Sequence, residues 1–164
     1  GIIIRVSGVR VPAPPLMRIK EKIFLKLYLY LKLPMIAYCR PKILESNSSF
    51  VKIRIPLKRK TKNHLNSMYF GALSVGADFT AGLLVLNSLK KNKSKAKLLF
   101  KDFQANFIKR ALSDVVFTCD DFKEIENSVL ENLGSGERVN FKVKVSAFCN
   151  EDLVATFILT TSIK

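Results

Sequence analysis

The sequence predicts an α+β fold in which one curved antiparallel sheet wraps a long central α-helix. Three observations lead there. From Leu65 to Leu89 the chain is apolar over far more residues than a strand uses, and Asp78 is its one charged residue. Segments of alternating apolar and polar residues lie on both sides of that stretch. Short polar turns join several of them, which implies antiparallel neighbours. A helix apolar on nearly all sides must be covered on nearly all sides, and one bent sheet does this economically.

Each element has its own signal. Residues 17–33 are amphipathic and end at Pro34, which predicts an N-terminal helix, with Pro34 to Pro41 as a turn. A short strand near Lys42 to Glu45 pairs across Ser46-Asn47-Ser48-Ser49 with Phe50 to Leu57. There Val51, Ile53, Ile55 and Leu57 share one face, and Lys52 and Arg54 the other. The central helix runs from about Ser67 to Leu86. Ala96 to Ile108 and Asp114 to Cys119 read as strands. Asp120 to Leu133 reads as a small helix, with Asp120 or Asp121 as N-cap and Gly134 as its stop. Two strands close the chain: Val139 to Cys149, strictly alternating, and Leu153 to Ile163 after an Asn150-Glu151-Asp152 turn. The expectation is a flexible extension over 1–16 and a single domain over 17–164. The domain is a hotdog arrangement, the sheet as bun and the helix as sausage.

Composition narrows the function classes. With 48% hydrophobic and 25% charged residues the chain is an ordinary globular protein with a real core. Cys39, Cys119 and Cys149 are widely spaced and odd in number, and His64 is the only histidine. That pattern argues against a disulfide scaffold or a structural zinc site and fits a reducing cytoplasm. The net charge of +15 is spread over many segments, with denser runs at Lys58-Arg59-Lys60-Thr61-Lys62 and Lys90-Lys91-Asn92-Lys93-Ser94-Lys95. These read as solvated loops flanking the core helix, or as attraction for an anionic ligand such as a nucleotide-bearing thioester. Nucleic-acid binding rests on charge alone, without helix-turn-helix, RNP-type or zinc-finger spacing. No membrane span is expected. Lys26 and Lys32 interrupt Ile23 to Tyr38, and Phe70 to Leu86 is short, with an acid at its middle.

Asp78 is the candidate site's centre. An ionised carboxylate in an apolar helix is costly unless it is paired or its pKa shifts. Gly71, Ser74, Asp78 and Gly82 step by three or four residues and share one helix face; Leu73, Ala77, Thr80 and Leu84 lie roughly opposite. The first face is a slot in which a ligand passes over the carboxylate, or simply a place of close approach to a sheet or another subunit. Other groups are weaker. His64 reads as a loop histidine satisfied by local backbone, with a catalytic role as the alternative. Asp120-Asp121 reads as N-capping, with no metal site.

The segment Asn63-His64-Leu65-Asn66-Ser67-Met68-Tyr69-Phe70-Gly71-Ala72, followed by Asp78, resembles the active-site signature of hotdog-fold acyl-CoA thioesterases. The similarity is to the phenylacetate-pathway-type branch and to a related domain of unknown function. The family pattern is N-x-x-G-x-x-H-G-G with an acid nine residues after the His. Asn63 stands at the Asn, Tyr69 at the His, Gly71 at the last Gly and Asp78 at the acid, while Asn66 and Phe70 replace the other two glycines. The resemblance implies hydrolysis of an acyl-CoA thioester. Asp78 would be the general base or a nucleophile, and the helix N-terminal amides near Phe70 and Gly71 would polarise the carbonyl. Asn63 would orient the water or the carboxylate. Tyr69, Ser74 and Gly82 would line the substrate, with Lys109 and Arg110 holding nucleotide phosphates. No cofactor is implied beyond the coenzyme A of the substrate. The implied assembly is a homodimer or a dimer of dimers (a homotetramer) with sites shared between subunits. The other function class is a non-catalytic hotdog module that binds an acyl thioester, a lipid or a protein partner.

Overall fold

A computed structural model of the chain describes residues 19–164, so the extension expected over 1–16 lies outside the described residues. The elements run α1 (Ile19–Lys32), α2 (Pro34–Tyr38), β1 (Lys42–Ser46), β2 (Val51–Ile55), α3 (Phe70–Lys91) and β3 (Leu98–Phe107). After these come β4 (Val115–Cys119), α4 (Phe122–Ser135), β5 (Val139–Cys149) and β6 (Asp152–Ile163). The strands form one sheet in the order β1-β2-β4-β5-β6-β3, every pairing antiparallel. This sheet curves around α3, which is the hotdog fold.

Alternation decides which side chains meet the helix. On β5, Val139, Phe141, Val143, Val145, Ala147 and Cys149 are buried, while Asn140, Lys142 and Lys144 are exposed. On β2, Val51, Ile53 and Ile55 are fully buried. From the other side α3 contributes Leu73, Ala77, Phe79, Thr80, Leu84 and Val85 to the same core. Thr80 donates its hydroxyl to the Gly76 carbonyl, so its polar atom is satisfied inside the helix. At Gly76 the helix lies so close to the sheet that a Cβ would overlap the Phe117 ring. α3 is the one described helix long and apolar enough to cross a membrane, and 67% of its apolar window is buried within the fold. It is a core helix.

Several boundaries differ from the sequence reading, each for a local reason. Pro34 to Tyr38 is a short helix rather than a turn, because Pro34 sits at its first position, where the missing N–H costs nothing. Leu57 falls outside β2; its amide donates to the Asp114 carboxylate at 2.9 Å and turns the chain away from the sheet. α3 starts at Phe70 instead of Ser67, since the Met68 and Tyr69 amides are held by the Ala111 and Thr61 carbonyls. It runs on past Leu86 to Lys91, placing Lys90 and Lys91 in the last turn, where cations complement the helix dipole. Gly134 is helical, and the stop is Gly136, whose φ of 70° is the left-handed cap glycine adopts freely. Asp121 stands at the N-cap of α4 without capping it; its carboxylate accepts the Lys144 amide at 2.6 Å and ties α4 to β5.

Candidate active site

The loop before α3 is organised by Asn63. Its side-chain carbonyl accepts the amides of Leu65 at 2.9 Å and Ser67 at 3.1 Å, and its Nδ2 donates to Ser67 Oγ at 3.0 Å. Within one chain the side chain that was expected to orient water is therefore engaged in holding the loop. Asn66 has φ of 59°, the left-handed region that glycine takes freely and asparagine more readily than most residues. Its replacement of a pattern glycine is thus conformationally accommodated. Asn63→Ala removes every hydrogen bond this side chain makes to Leu65 and Ser67 in the turn. We expect it to cost about 1–2 kcal/mol in a denaturant titration.

This loop delivers the chain to Tyr69, the N-cap of α3, with φ −63° and ψ 136° and no side-chain cap. No described side chain caps the helix, so the Phe70 and Gly71 amides point out of its N-terminus as free donors at the positive end of the dipole. Tyr69 and Phe70 pack ring to ring at 4.7 Å, and both are exposed. A Cβ on Gly71 would approach Tyr69 Cε1 to 2.5 Å, so glycine here lets the Tyr69 ring lie across the first turn. A hollow of about 460 Å³ opens at this end, lined by Asn63, Tyr69, Phe70, Phe107, Lys109 and Arg110 among others. Five of the nine predicted site residues therefore meet in one place. Lys109 also pairs with Asp152 at 3.2 Å. His64 is exposed at the rim of the hollow, and its ring has no backbone partner among the described residues, contrary to the local satisfaction expected.

The other four lie along the helix. Ser74 donates to the Phe70 carbonyl at 2.9 Å. Gly82 is buried under Phe100 and Leu98, where a Cβ would make ordinary contacts near 3.8 Å. Asp78 is half-buried, and burial raises its carboxyl above the ordinary 3.8 with no described donor or cation offsetting it. Eight residues of helix, about 12 Å, separate it from the amides at Phe70. One chain thus holds the acid and the helix N-terminus apart. Among the described residues no group of His, Cys, Asp and Glu could hold a metal ion. All three cysteines are buried, and burial pushes the Cys119 thiol up to about 12, far from a usable thiolate.

An apolar strip beside the site was not anticipated. Phe103, Ala105 and Phe107 of β3 stand opposite Leu159, Phe157 and Ala155, so they point to the helix side of the sheet. Yet Phe103 and Phe107 are 40% and 47% exposed. Phe107 bridges Phe70 at 6.3 Å and Phe157 at 6.0 Å. β3 is also an edge, paired only with β6 among the described residues.

A family model described as "Domain of unknown function (DUF4442)" matches residues 21–162. Among solved structures, a protein of unknown function from Chlorobaculum tepidum is 13% identical, with a TM-score of 0.76 over 86% of this chain and 92% of that one. A protein of unknown function from Pseudomonas aeruginosa, called a probable thioesterase, is 19% identical, with a TM-score of 0.73 over 87% and 95%. A mutant of a thioesterase enzyme from Staphylococcus aureus is 17% identical, with a TM-score of 0.62 over 80% and 98%. At these identities the likeness is one of fold. No curated protein matches the chain.

Proposed function

The chain belongs to the DUF4442 family, and from that premise we propose that it hydrolyses acyl thioesters, acyl-CoA among them, with Asp78 as general base. The observation that carries this reading is the Asp78 carboxylate itself: half-buried, without a described partner, and raised by burial toward the range useful for proton abstraction. It deprotonates a water, which attacks the thioester carbonyl. The developing oxyanion is met by the Phe70 and Gly71 amides, and collapse expels the thiolate. Asp78 and these amides are about 12 Å apart along one helix, so the proposed site takes the acid from one copy and the helix N-terminus from another. The free edge of β3 and the uncovered Phe103 and Phe107 support such pairing, as a homodimer or a dimer of dimers. The exposed Arg110, with Lys109 beside it, supplies charge for the phosphates of a nucleotide-bearing thiol. Ser74, Gly82 and Tyr69 line the acyl path in this reading.

Thiol release from acyl-CoAs of short, medium and long chain tests the proposal; no turnover on any of them would sink it. The pH profile gives a second expectation. Only ionised Asp78 is a base, so the rate should rise with pH through a value above 3.8 and then level off. A profile flat down to pH 4 would contradict the assignment. The second reading, a hotdog module that binds an acyl thioester or another partner without turning it over, is favoured by one observation: the Asn63 side chain is engaged in its own loop.

A further inference from the structure

At the edge of the sheet opposite β3, α1 lies beside β1 and α3 with its amphipathicity inverted. Leu25 and Leu29 face inward: Leu29 is buried in the core cluster, and Leu25 packs against it. The outward face is apolar. Ile23, Leu27 and Leu31 repeat every four residues, roughly opposite Leu25 and Leu29, and are 61%, 55% and 64% exposed. Phe24, Tyr30 and, on α2, Met35 extend this surface, each about 70% exposed. Leaving so many large apolar side chains in water is unfavourable, and a contiguous apolar face of this kind marks an interaction surface. Lys26 and Lys32 flank the apolar stripe on either side, long enough to keep their charges at a polar boundary while the stripe is covered.

The charge around this face identifies the partner. The Lys60 ammonium sits 4.6 Å over the Tyr38 ring, which brings the exposed Lys58-Arg59-Lys60 run against the end of α2. Along α1, the end of α2 and this run, the exposed charged residues among those described are Lys20, Lys26, Lys32, Arg40, Lys58, Arg59 and Lys60, all basic. A second copy of this face would set like charges against like. A bilayer with anionic headgroups satisfies both features: its acyl boundary takes the apolar stripe, its headgroups take the lysines, and tyrosines at the rim suit the region between. We infer that α1, α2 and the Lys58–Lys60 loop form a docking surface for an anionic lipid bilayer, on which the protein lies without crossing it. This holds whether or not the site around Asp78 turns over thioesters.

Sedimentation of the full chain with vesicles tests it. The chain should pellet with vesicles of phosphatidylcholine containing about one-third phosphatidylglycerol at physiological salt, and hardly at all with phosphatidylcholine alone. Leu27→Glu, at an exposed position, should keep the melting curve and lower the bound fraction by about tenfold or more. Lys58→Ala with Lys60→Ala should weaken binding roughly fivefold per charge removed. Leu133→Glu on α4, which subtracts the same charge elsewhere, should leave binding unchanged. Absence of binding to anionic vesicles overturns the inference, as does binding that Leu27→Glu does not diminish. A mass that falls in Leu27→Glu by light scattering, with no vesicle binding by the wild type, would assign the face to self-association instead and equally overturn it.

Discussion

Asp78→Asn should abolish thioester hydrolysis and at the same time make the protein more stable at neutral pH. The amide keeps the shape of the side chain but cannot accept a proton, so kcat is expected to fall by about 10²- to 10⁴-fold. The stability change follows from linkage. Burial raises the folded pKa of Asp78 above 3.8, so between 3.8 and that raised value the folded chain binds more protons than the unfolded one. The stabilising contribution of the protonated acid is complete below 3.8 and is lost as pH rises through the folded value. At neutral pH the ionised group is a cost, and Asn removes it. Denaturant midpoints of the two proteins should therefore differ in favour of Asn at pH 7 and converge at pH 3. A variant less stable than wild type at pH 7 would mean that Asp78 has a structural partner, and the base assignment would lose its physical ground.

Gly76→Ala should be among the most damaging single-methyl changes in the chain. In an ordinary helix it would help by about 1 kcal/mol through propensity. Here the new Cβ would overlap the ring of Phe117, which is fully buried and tilted against Phe157 at 6.5 Å. The ring is fully buried against Phe157, so the overlap is relieved by moving helix and sheet apart. Overpacking of this kind costs about 1–3 kcal/mol and outweighs the propensity gain. Phe117→Leu in the same chain should recover much of the loss, measured as a coupling energy in a double-mutant cycle. Gly82→Ala is the contrast. Its Cβ makes ordinary contacts with Phe100 and Leu98, so little change is expected. Independent, additive effects of Gly76→Ala and Phe117→Leu would refute the close approach.

These two residues show what a sequence can and cannot disclose. The central helix, the six strands and the antiparallel pairing of those joined by short turns were legible, because burial imposes period 3.6 on helices and period two on strands. The sheet order, with β4 beside β2 and β3 beside β6, was not. Asp78 was legible because a lone acid in an apolar helix is chemically conspicuous. Gly76 was not, since a glycine's role depends on what lies across from it, and Phe117 is 41 residues away. The apolar strip on β3 was hidden for a more specific reason. A register shift between Phe100 and Asp102 breaks the alternation, so Phe103 and Phe107 share the face of Phe100 although their spacing from it is odd. The engagement of Asn63 in its own turn was also invisible, because an Asx turn and a substrate-orienting amide are written with the same letter. Likewise the N-terminal helix was legible as amphipathic, but the side it turns to water depends on where α3 and β1 stand.

The proposed site rests above all on a division of labour: acid from one copy, helix N-terminus from the other. Two single variants disable the halves separately. Asp78→Asn removes the base. Phe70→Pro removes an amide at the first helical position, where proline is well tolerated, and Tyr69 already has the extended backbone that a residue before proline requires. Phe70→Ala, which keeps the amide, controls for the lost ring. Each of the first two variants alone should be nearly inactive. When the two chains are co-expressed with different tags, half of the dimers are mixed, and each mixed dimer has one site free of both changes. Activity should then return to about a quarter of wild type. Activity no greater than the average of the two variants alone, in a sample shown by its tags to contain mixed dimers, would contradict a site built between copies.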